Sequence, residues 1–159
     1  VTNRVGWGFD AHRFTAEGRV LLAGVVADEQ RGVEATSDGD VLAHAIADAL
    51  LGAAALGDIG TLFPSSDPRW SDADSMAMLV EVVSTVSAAG YRVASIDCTV
   101  LAERVRVAPH REAIRLALAS VLGVGPPAVS VKATTTDGMG FVGRDDGLAA
   151  VAVAVLAED

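Results

Sequence analysis

Apolar positions between Asp40 and Leu56 recur three and four residues apart, at Val41, Leu42, Ala45, Ile46, Ala49, Leu50, Ala53 and Ala54. That spacing predicts a helix with one buried face and leaves Asp40, His44 and Asp48 together on another. Ser37 or Asp38 can supply its N-cap. Upstream, Arg4 to Phe14 alternates in part and contains Gly6 and Gly8, which predicts a strand closely approached by another backbone. A second short strand is expected at about Leu21 to Val26. Gly57 to Asp74, with Pro64, Pro68 and a run of Ser and Asp, reads as loop, and Asp74 can cap a helix ending at Gly90. Tyr91 to Glu103 reads as a strand. Pro109 suits the first turn of a helix that runs to Gly123, and Pro126-Pro127 prevents its continuation. Strands at Val129–Thr134 and Leu148–Leu156 complete the pattern.

Strands interleaved with helices in this order predict an α+β fold, a small mixed β-sheet with helices packed on one face. The run Ala149 to Leu156 is apolar on both of its faces, so the other side of the sheet is expected to be buried against further copies in a homo-oligomer. With 159 residues and no repeat or linker, residues 1–159 are expected to form one domain. Only 4% of residues are aromatic although 51% are hydrophobic, so Ala, Val, Leu and Ile must fill the core. A net charge of -9 argues against a nucleic-acid surface. It leaves room for a nucleotide, because backbone N–H groups and a bound cation can hold phosphate on an acidic protein. No apolar run approaches the roughly 20 residues of a membrane span. The single cysteine, Cys98, excludes an internal disulfide and lies between Ile96 and Val100, where a buried hydrophobe is the better reading than a nucleophile. Val1-Thr2-Asn3-Arg4 lacks the apolar stretch of a signal peptide, which points to the cytoplasm.

Asp10 and His12 are two apart on a predicted strand, so both side chains leave the same face. A third ligand from another element would complete a cation site. His44 taken alone reads better as a solvated or core-satisfied histidine, and it is the pairing with His12 that favours a ligand. His110 follows Pro109 at a helix start, where capping or exposure is expected, which leaves His12 and His44 as the good pair. Two nitrogens and a carboxylate suit zinc, with the fourth position open for substrate. Asp48, one turn beyond His44, is placed to orient that imidazole. Gly138 to Gly143 matches G-x-G-x-x-G, yet a strand rather than a helix is expected after it, so it reads as a turn that lets backbone approach a ligand or a threefold axis. Thr134, Thr135, Thr136 and Asp137 are either a β-branched strand end or a seat for phosphate oxygens and a hard cation. Arg104 and Arg106 are a solvated edge or phosphate ligands, and Asp58-Ile59-Gly60 is a turn or a contact.

Gly8-Phe9-Asp10-Ala11-His12, Ser37-Asp38-Gly39-Asp40, His44-Ala45, Asp48 to Gly60, Phe63-Pro64, Ala133 to Asp137 and Gly143-Arg144 occur in one order over nearly the whole chain. Together they closely resemble the 2-C-methyl-D-erythritol 2,4-cyclodiphosphate synthase family. The resemblance implies a homotrimer around a threefold axis, with active sites between neighbouring subunits. It implies a phosphorus-oxygen lyase of the non-mevalonate isoprenoid pathway, which cyclises 4-diphosphocytidyl-2-C-methyl-D-erythritol 2-phosphate to the 2,4-cyclodiphosphate and releases CMP. By the same resemblance Asp10, His12 and His44 hold zinc on the β-phosphate. Magnesium or manganese bridges the α and β groups and is reached by Asp137. Thr36 and Thr135 act on the transferring phosphoryl group, and Asp10, Ala11, His12, Thr36 and Ser37 touch substrate.

Asp58, Ile59 and Gly60 would meet the methylerythritol, and Phe63, Pro64, Ser65, Ser66 and Asp67 would close over it. Ala102, Glu103, Arg104, Val105, Arg106, Val107 and Ala108 with Thr134, Thr135 and Thr136 would form the cytidine pocket of the adjacent subunit. Phe141 and Arg144 would lie near the diphosphate or the axis, and an isoprenoid diphosphate is an implied ligand of the central cavity. The chain departs from the family at Thr36, where a histidine usually precedes Ser-Asp-Gly-Asp. Arg106 stands for the usual lysine, Asp137 for the usual glutamate, and Asp145-Asp146 for the usual Gly-Glu. Two other readings keep the metal site, a zinc-assembled trimeric module that binds isoprenoid phosphates without turnover and a zinc phosphohydrolase acting on a nucleotide.

Overall fold

The structure, a computed structural model, describes residues 2–158; Val1 and Asp159 lie outside the described residues. Two glycines set how its first strand meets its first helix. Strand β1 (Asn3–Thr15) turns Gly6 and Gly8 toward helix α1 (Val41–Ala54). A Cβ on either glycine would stand 1.9 Å from a carbonyl oxygen of α1, that of Ala49 or of Ala45. Only a bare backbone lets the helix lie so low on the strand, and the alanines at 45, 49 and 53 complete the close fit.

The remaining strands are β2 (Val20–Leu22), β3 (Val25–Asp28), β4 (Gly32–Val33), β5 (Tyr91–Leu101), β6 (Val129–Thr134) and β7 (Gly147–Glu158). Five of them form one mixed sheet in the order β4-β1-β7-β5-β6, and β2 and β3 form a separate two-stranded sheet. β7 pairs antiparallel with both β1 and β5, while β5 and β6 run parallel. Helices α1, α3 (Ser75–Ala88) and α4 (Arg111–Leu122) lie over one face, as the sequence predicts. Beneath them Leu148, Ala150, Ala152, Ala154 and Leu156 are fully buried. The opposite face is apolar and open in the single chain. Trp7 is 63% exposed and Phe9 45%, with their rings stacked at 6.1 Å, beside the half-buried Val151, Val153 and Val155.

Four local expectations differ from the structure. The strand expected over Leu21 to Val26 is a hairpin, because Ala23 and Gly24 both take positive φ, 50° and 75°, and reverse the chain. The cap of α1 is Asp40 rather than Ser37 or Asp38. The Asp40 carboxylate accepts from Ala43 N at 3.0 Å and also from Ala23 N at 3.0 Å and Gly24 N at 2.7 Å, so one buried side chain caps the helix and pins the hairpin turn. The stretch expected as loop contains the one-turn helix α2 (Ile59–Leu62) and a 3₁₀ turn at Pro68–Trp70. Gly140–Gly143 forms another single turn, α5, before β7 begins. It is too short for a dinucleotide fold, and it is tight, since a Cβ on Gly143 would stand 2.1 Å from the Gly138 carbonyl carbon. Asp74 caps α3 as expected, accepting from Met76 N and Ala77 N. His110 begins α4 without a capping bond from its ring. Cys98 is buried, and that burial pushes its thiol up to about 12, which removes it from nucleophilic chemistry at neutral pH. Among the described residues no helix is long and apolar enough to cross a membrane.

Candidate metal centre and its clefts

β1 presents Asp10 and His12 on the face that also carries Gly6 and Gly8, toward α1, and the first turn of α1 supplies His44. The Asp10 Oδ2 atom lies 3.0 Å from His12 Nε2 and 3.0 Å from His44 Nδ1. One ligand atom from each of the three residues falls within 4.8 Å of the others. His12 Nε2 is buried and, although close to the carboxylate, has no hydrogen-bond geometry to any partner. An orphaned buried nitrogen aimed at a carboxylate and a second imidazole is the donor set zinc takes, so the residues fit the metal.

Burial alone would raise the Asp10 pKa, but the closeness of both imidazoles, with the hydrogen bond to His44, outweighs it and holds the carboxyl at about 2. For His44, burial opposes protonation, yet the Asp10 carboxylate outweighs it and the imidazole pKa rises above its ordinary 6.5. Both shifts describe the metal-free site. The stability they contribute is fully present between pH 3.8 and pH 6.5; below that window it is lost as pH falls toward about 2, and above it as pH rises through the raised histidine value. Zinc must displace the proton on His44 Nδ1, so its apparent affinity falls about tenfold per pH unit below that raised value. The rise in melting temperature caused by added zinc is therefore expected to be larger at pH 8 than at pH 5.5. An equal rise at both would show that His44 is not a ligand.

The expected orienting role of Asp48 is not what the structure shows. Asp48 Oδ1 accepts from Ile59 N at 2.7 Å and so fixes the start of α2. What meets the far nitrogen of His44 is Ser75 Oγ, at 2.8 Å, with Ser37 Oγ at 3.2 Å. Ser75 escaped the sequence reading because its only signature there is a position after a cap, 31 residues from His44.

His12 and His44 open onto a cleft of about 590 Å³, also lined by Thr36, Ser37, Ile59, Gly60, Phe63, Pro64, Ser65 and Ser66. The predicted metal, methylerythritol and covering segments therefore share one space. Trp70, not singled out in the sequence, completes its wall by packing edge-on to Phe63 at 4.6 Å. Asp58 caps α2 by accepting from Thr61 N at 2.8 Å, and Asp67 accepts from Arg69 N at 3.0 Å. Ala102, Glu103, Val105, Arg106, Val107 and Ala108 meet Thr134 and Thr135 around a second cleft of about 470 Å³. Arg104 faces elsewhere, toward the segment 26–30. Phe141 and Arg144 lie with Ala11 and His12 around a third hollow. Thr136 donates to Met139 O at 2.6 Å, and the exposed Asp137, at φ 52°, accepts from Thr135 Oγ1 at 3.4 Å. Asp137 lines none of the clefts that hold His12 or His44.

The sequence profile of the YgbB family matches residues 3–157. The chain belongs to that family. It is 52% identical over 153 residues to the 2-C-methyl-D-erythritol 2,4-cyclodiphosphate synthase of Moorella thermoacetica, covering 96% of this chain and 94% of that protein. Among solved structures it is similar to the bifunctional IspDF of Campylobacter jejuni, with a TM-score of 0.96 and 39% identity over 99% of this chain and 43% of that one. The CDP complex of IspF from Plasmodium falciparum matches with a TM-score of 0.86 and 28% identity, over 99% of this chain and 97% of that one. The family thus joins the fold to a site already defined by three convergent ligands.

Proposed function

We infer that this YgbB-family protein is a cyclodiphosphate synthase, a lyase that turns 4-diphosphocytidyl-2-C-methyl-D-erythritol 2-phosphate into 2-C-methyl-D-erythritol 2,4-cyclodiphosphate and CMP. The convergence of Asp10, His12 and His44, with both histidines lining one cleft, carries the reading. The 2-phosphate oxygen forms a bond to the β-phosphorus, the bond from that phosphorus to the α–β bridging oxygen breaks, and the electron pair leaves with CMP. No protein base is needed, since a phosphate monoester with a second pKa of about 6 is already largely dianionic at pH 7. Asp10, His12 and His44 would hold zinc, which when bound would supply positive charge to offset that of the phosphates. The chain itself does the folding of the substrate. Ile59, Gly60, Phe63 and Trp70 wall the cleft so that the nucleophile and phosphorus meet within one molecule, worth roughly 7–11 kcal/mol in favourable systems.

The remaining assignments extend this reading. Three copies associate through the apolar face bearing Val5, Trp7 and Phe9, which brings the cytidine cleft of one subunit to the metal cleft of its neighbour. That residues 102–108 and the metal ligands line separate clefts within one chain supports such sharing. In the same arrangement Asp137, with Thr135, would come from the adjacent copy and could hold a magnesium ion. Residues 1–159 act as one unit, in the cytoplasm.

Incubation with the cytidylyl substrate, with and without chelator, tests the reaction. Cyclic diphosphate and CMP are expected, and both are expected to vanish on chelation. Linear phosphates would instead reveal a phosphohydrolase, and a trimer that releases no CMP a binding module. Thr36 lines the metal cleft and can donate a neutral hydrogen bond where the family usually places a histidine. Thr36→His is expected to raise turnover about tenfold, the worth of one charge-assisted hydrogen bond of about 1.5 kcal/mol. Steady-state kinetics showing no gain would remove Thr36 from the phosphoryl site.

A further inference from the structure

Ser75 is a buried polar residue, 1% exposed, with no part in the cleft lining or in any ligand set. Its hydroxyl joins His44 to Asp38, a carboxylate that does not touch the metal ligands. Ser75 Oγ donates to Asp38 Oδ1, and Ser75 N donates to Asp38 Oδ2 at 3.0 Å. Asp40 N also donates to Asp38 Oδ1, at 3.1 Å, so three donors converge on this carboxylate. On its other side Ser75 Oγ meets His44 Nε2 at 2.8 Å.

For the neutral ring, the shortest contact of Ser75 Oγ, to Asp38 rather than to Ser37 Oγ at 3.5 Å, leaves one proton arrangement along this chain. An ionised carboxylate only accepts, and a hydroxyl has a single hydrogen. With that hydrogen given to Asp38, Ser75 Oγ can only accept from His44, so Nε2 must carry the ring proton. Nδ1 is then the nitrogen with a free lone pair, and it is the one facing Asp10, at 3.0 Å. This outcome is not automatic. Asp10 is itself an acceptor against Nδ1, and a neutral ring without Ser75 would keep its proton there, covering the atom that must bind the cation. Imidazole ligands are commonly fixed in this way by a partner on the nitrogen away from the metal.

We propose that Asp38 and Ser75 are positioning residues for the metal centre, setting the tautomer of His44 from behind so that Nδ1 stays open. The inference rests on the reading of Asp10, His12 and His44 as a zinc site. Ser37 Oγ, 3.2 Å from Nε2 and 3.5 Å from Ser75 Oγ, does not fix the tautomer, because no carboxylate commits its hydrogen and it can donate as well as accept.

The test measures zinc binding, without substrate, by competition with a chromophoric chelator, and reads the His44 ring nitrogens in zinc-free protein by two-bond 1H–15N correlation at a pH where the ring is neutral. Ser75→Ala keeps Asp38 and its bond from Asp40 N. It is expected to weaken zinc binding about ten- to a hundredfold and to move the ring proton from Nε2 to Nδ1. Asp38→Ala leaves the serine in place but frees its hydroxyl to donate, and is expected to shift both readouts in the same direction. Circular dichroism in excess chelator identifies a variant that fails to fold; the Ser75→Ala result then decides alone, since it disturbs fewer backbone bonds. A folded Ser75→Ala protein that binds zinc within twofold of the parent and keeps Nε2–H would overturn the proposal. A parent that binds no zinc would sink the zinc reading itself, a different outcome.

Discussion

Asp10→Asn will lower the rate of cyclic diphosphate formation by about three orders of magnitude, the equivalent of about 4 kcal/mol of lost charge stabilisation. The substitution keeps the size of the side chain and removes its charge. Asp10 Oδ2 is the atom on which both imidazoles converge, at 3.0 Å each, and their closeness holds its carboxyl at about 2 despite burial. An amide would offer one weak oxygen ligand, or turn its NH2 toward two nitrogens that must both have free lone pairs. Metal affinity and turnover are therefore expected to fall together, and excess zinc should recover part of the loss. A variant that retains a tenth of parental product formation at low zinc would show that the carboxylate is dispensable to the chemistry.

Gly8→Ala has the larger effect on stability. Its new Cβ would lie 1.9 Å from Ala45 O and 2.7 Å from Ala49 N, both backbone atoms that no rotamer change can clear. Helix α1 would have to lift from β1, which costs about 3 kcal/mol or more at a site packed this closely. The same movement would draw His44 away from Asp10, so zinc binding is expected to fail even in molecules that still fold. Gly52→Ala is the matched contrast. Gly52 lies in the same helix, and a Cβ there meets nothing within 4 Å, so the change should stabilise by about 0.5–1 kcal/mol through helix propensity alone. Urea unfolding in chelator measures both. Equal midpoints for the two variants would mean that β1 and α1 are not in direct backbone contact.

Elements with a sustained period were legible in the chain. α1 announced itself by eight apolar positions, and β1 by two glycines whose purpose the structure makes plain. Short elements were not, because a single turn such as Ile59–Leu62 or Gly140–Gly143 has too few residues to express any period. The cap of α1 was misplaced by two or three residues since Ser37, Asp38 and Asp40 all have capping side chains, and only the hairpin turn that Asp40 also holds decides among them. The ligand set was readable because two of its members share a strand face. The partners of His44 were not: Asp48 looked right at one turn's distance, but helix α2 claims it, and Ser75 arrives through tertiary packing that leaves no spacing in the sequence.

The placement of β7 has a bearing on how the metal centre comes into being during synthesis. β7 lies between β1 and β5, and Ala150 and Leu148 are the register partners of Asp10 and His12. A nascent chain halted before Gly147 would already contain all three ligands, with β1 packed on α1 and paired with β4 over two residues but lacking its long pairing with β7. Ligands made early thus gain their sheet neighbour late. The strand that backs Asp10 and His12 is laid down more than a hundred residues after the last of the ligands, His44.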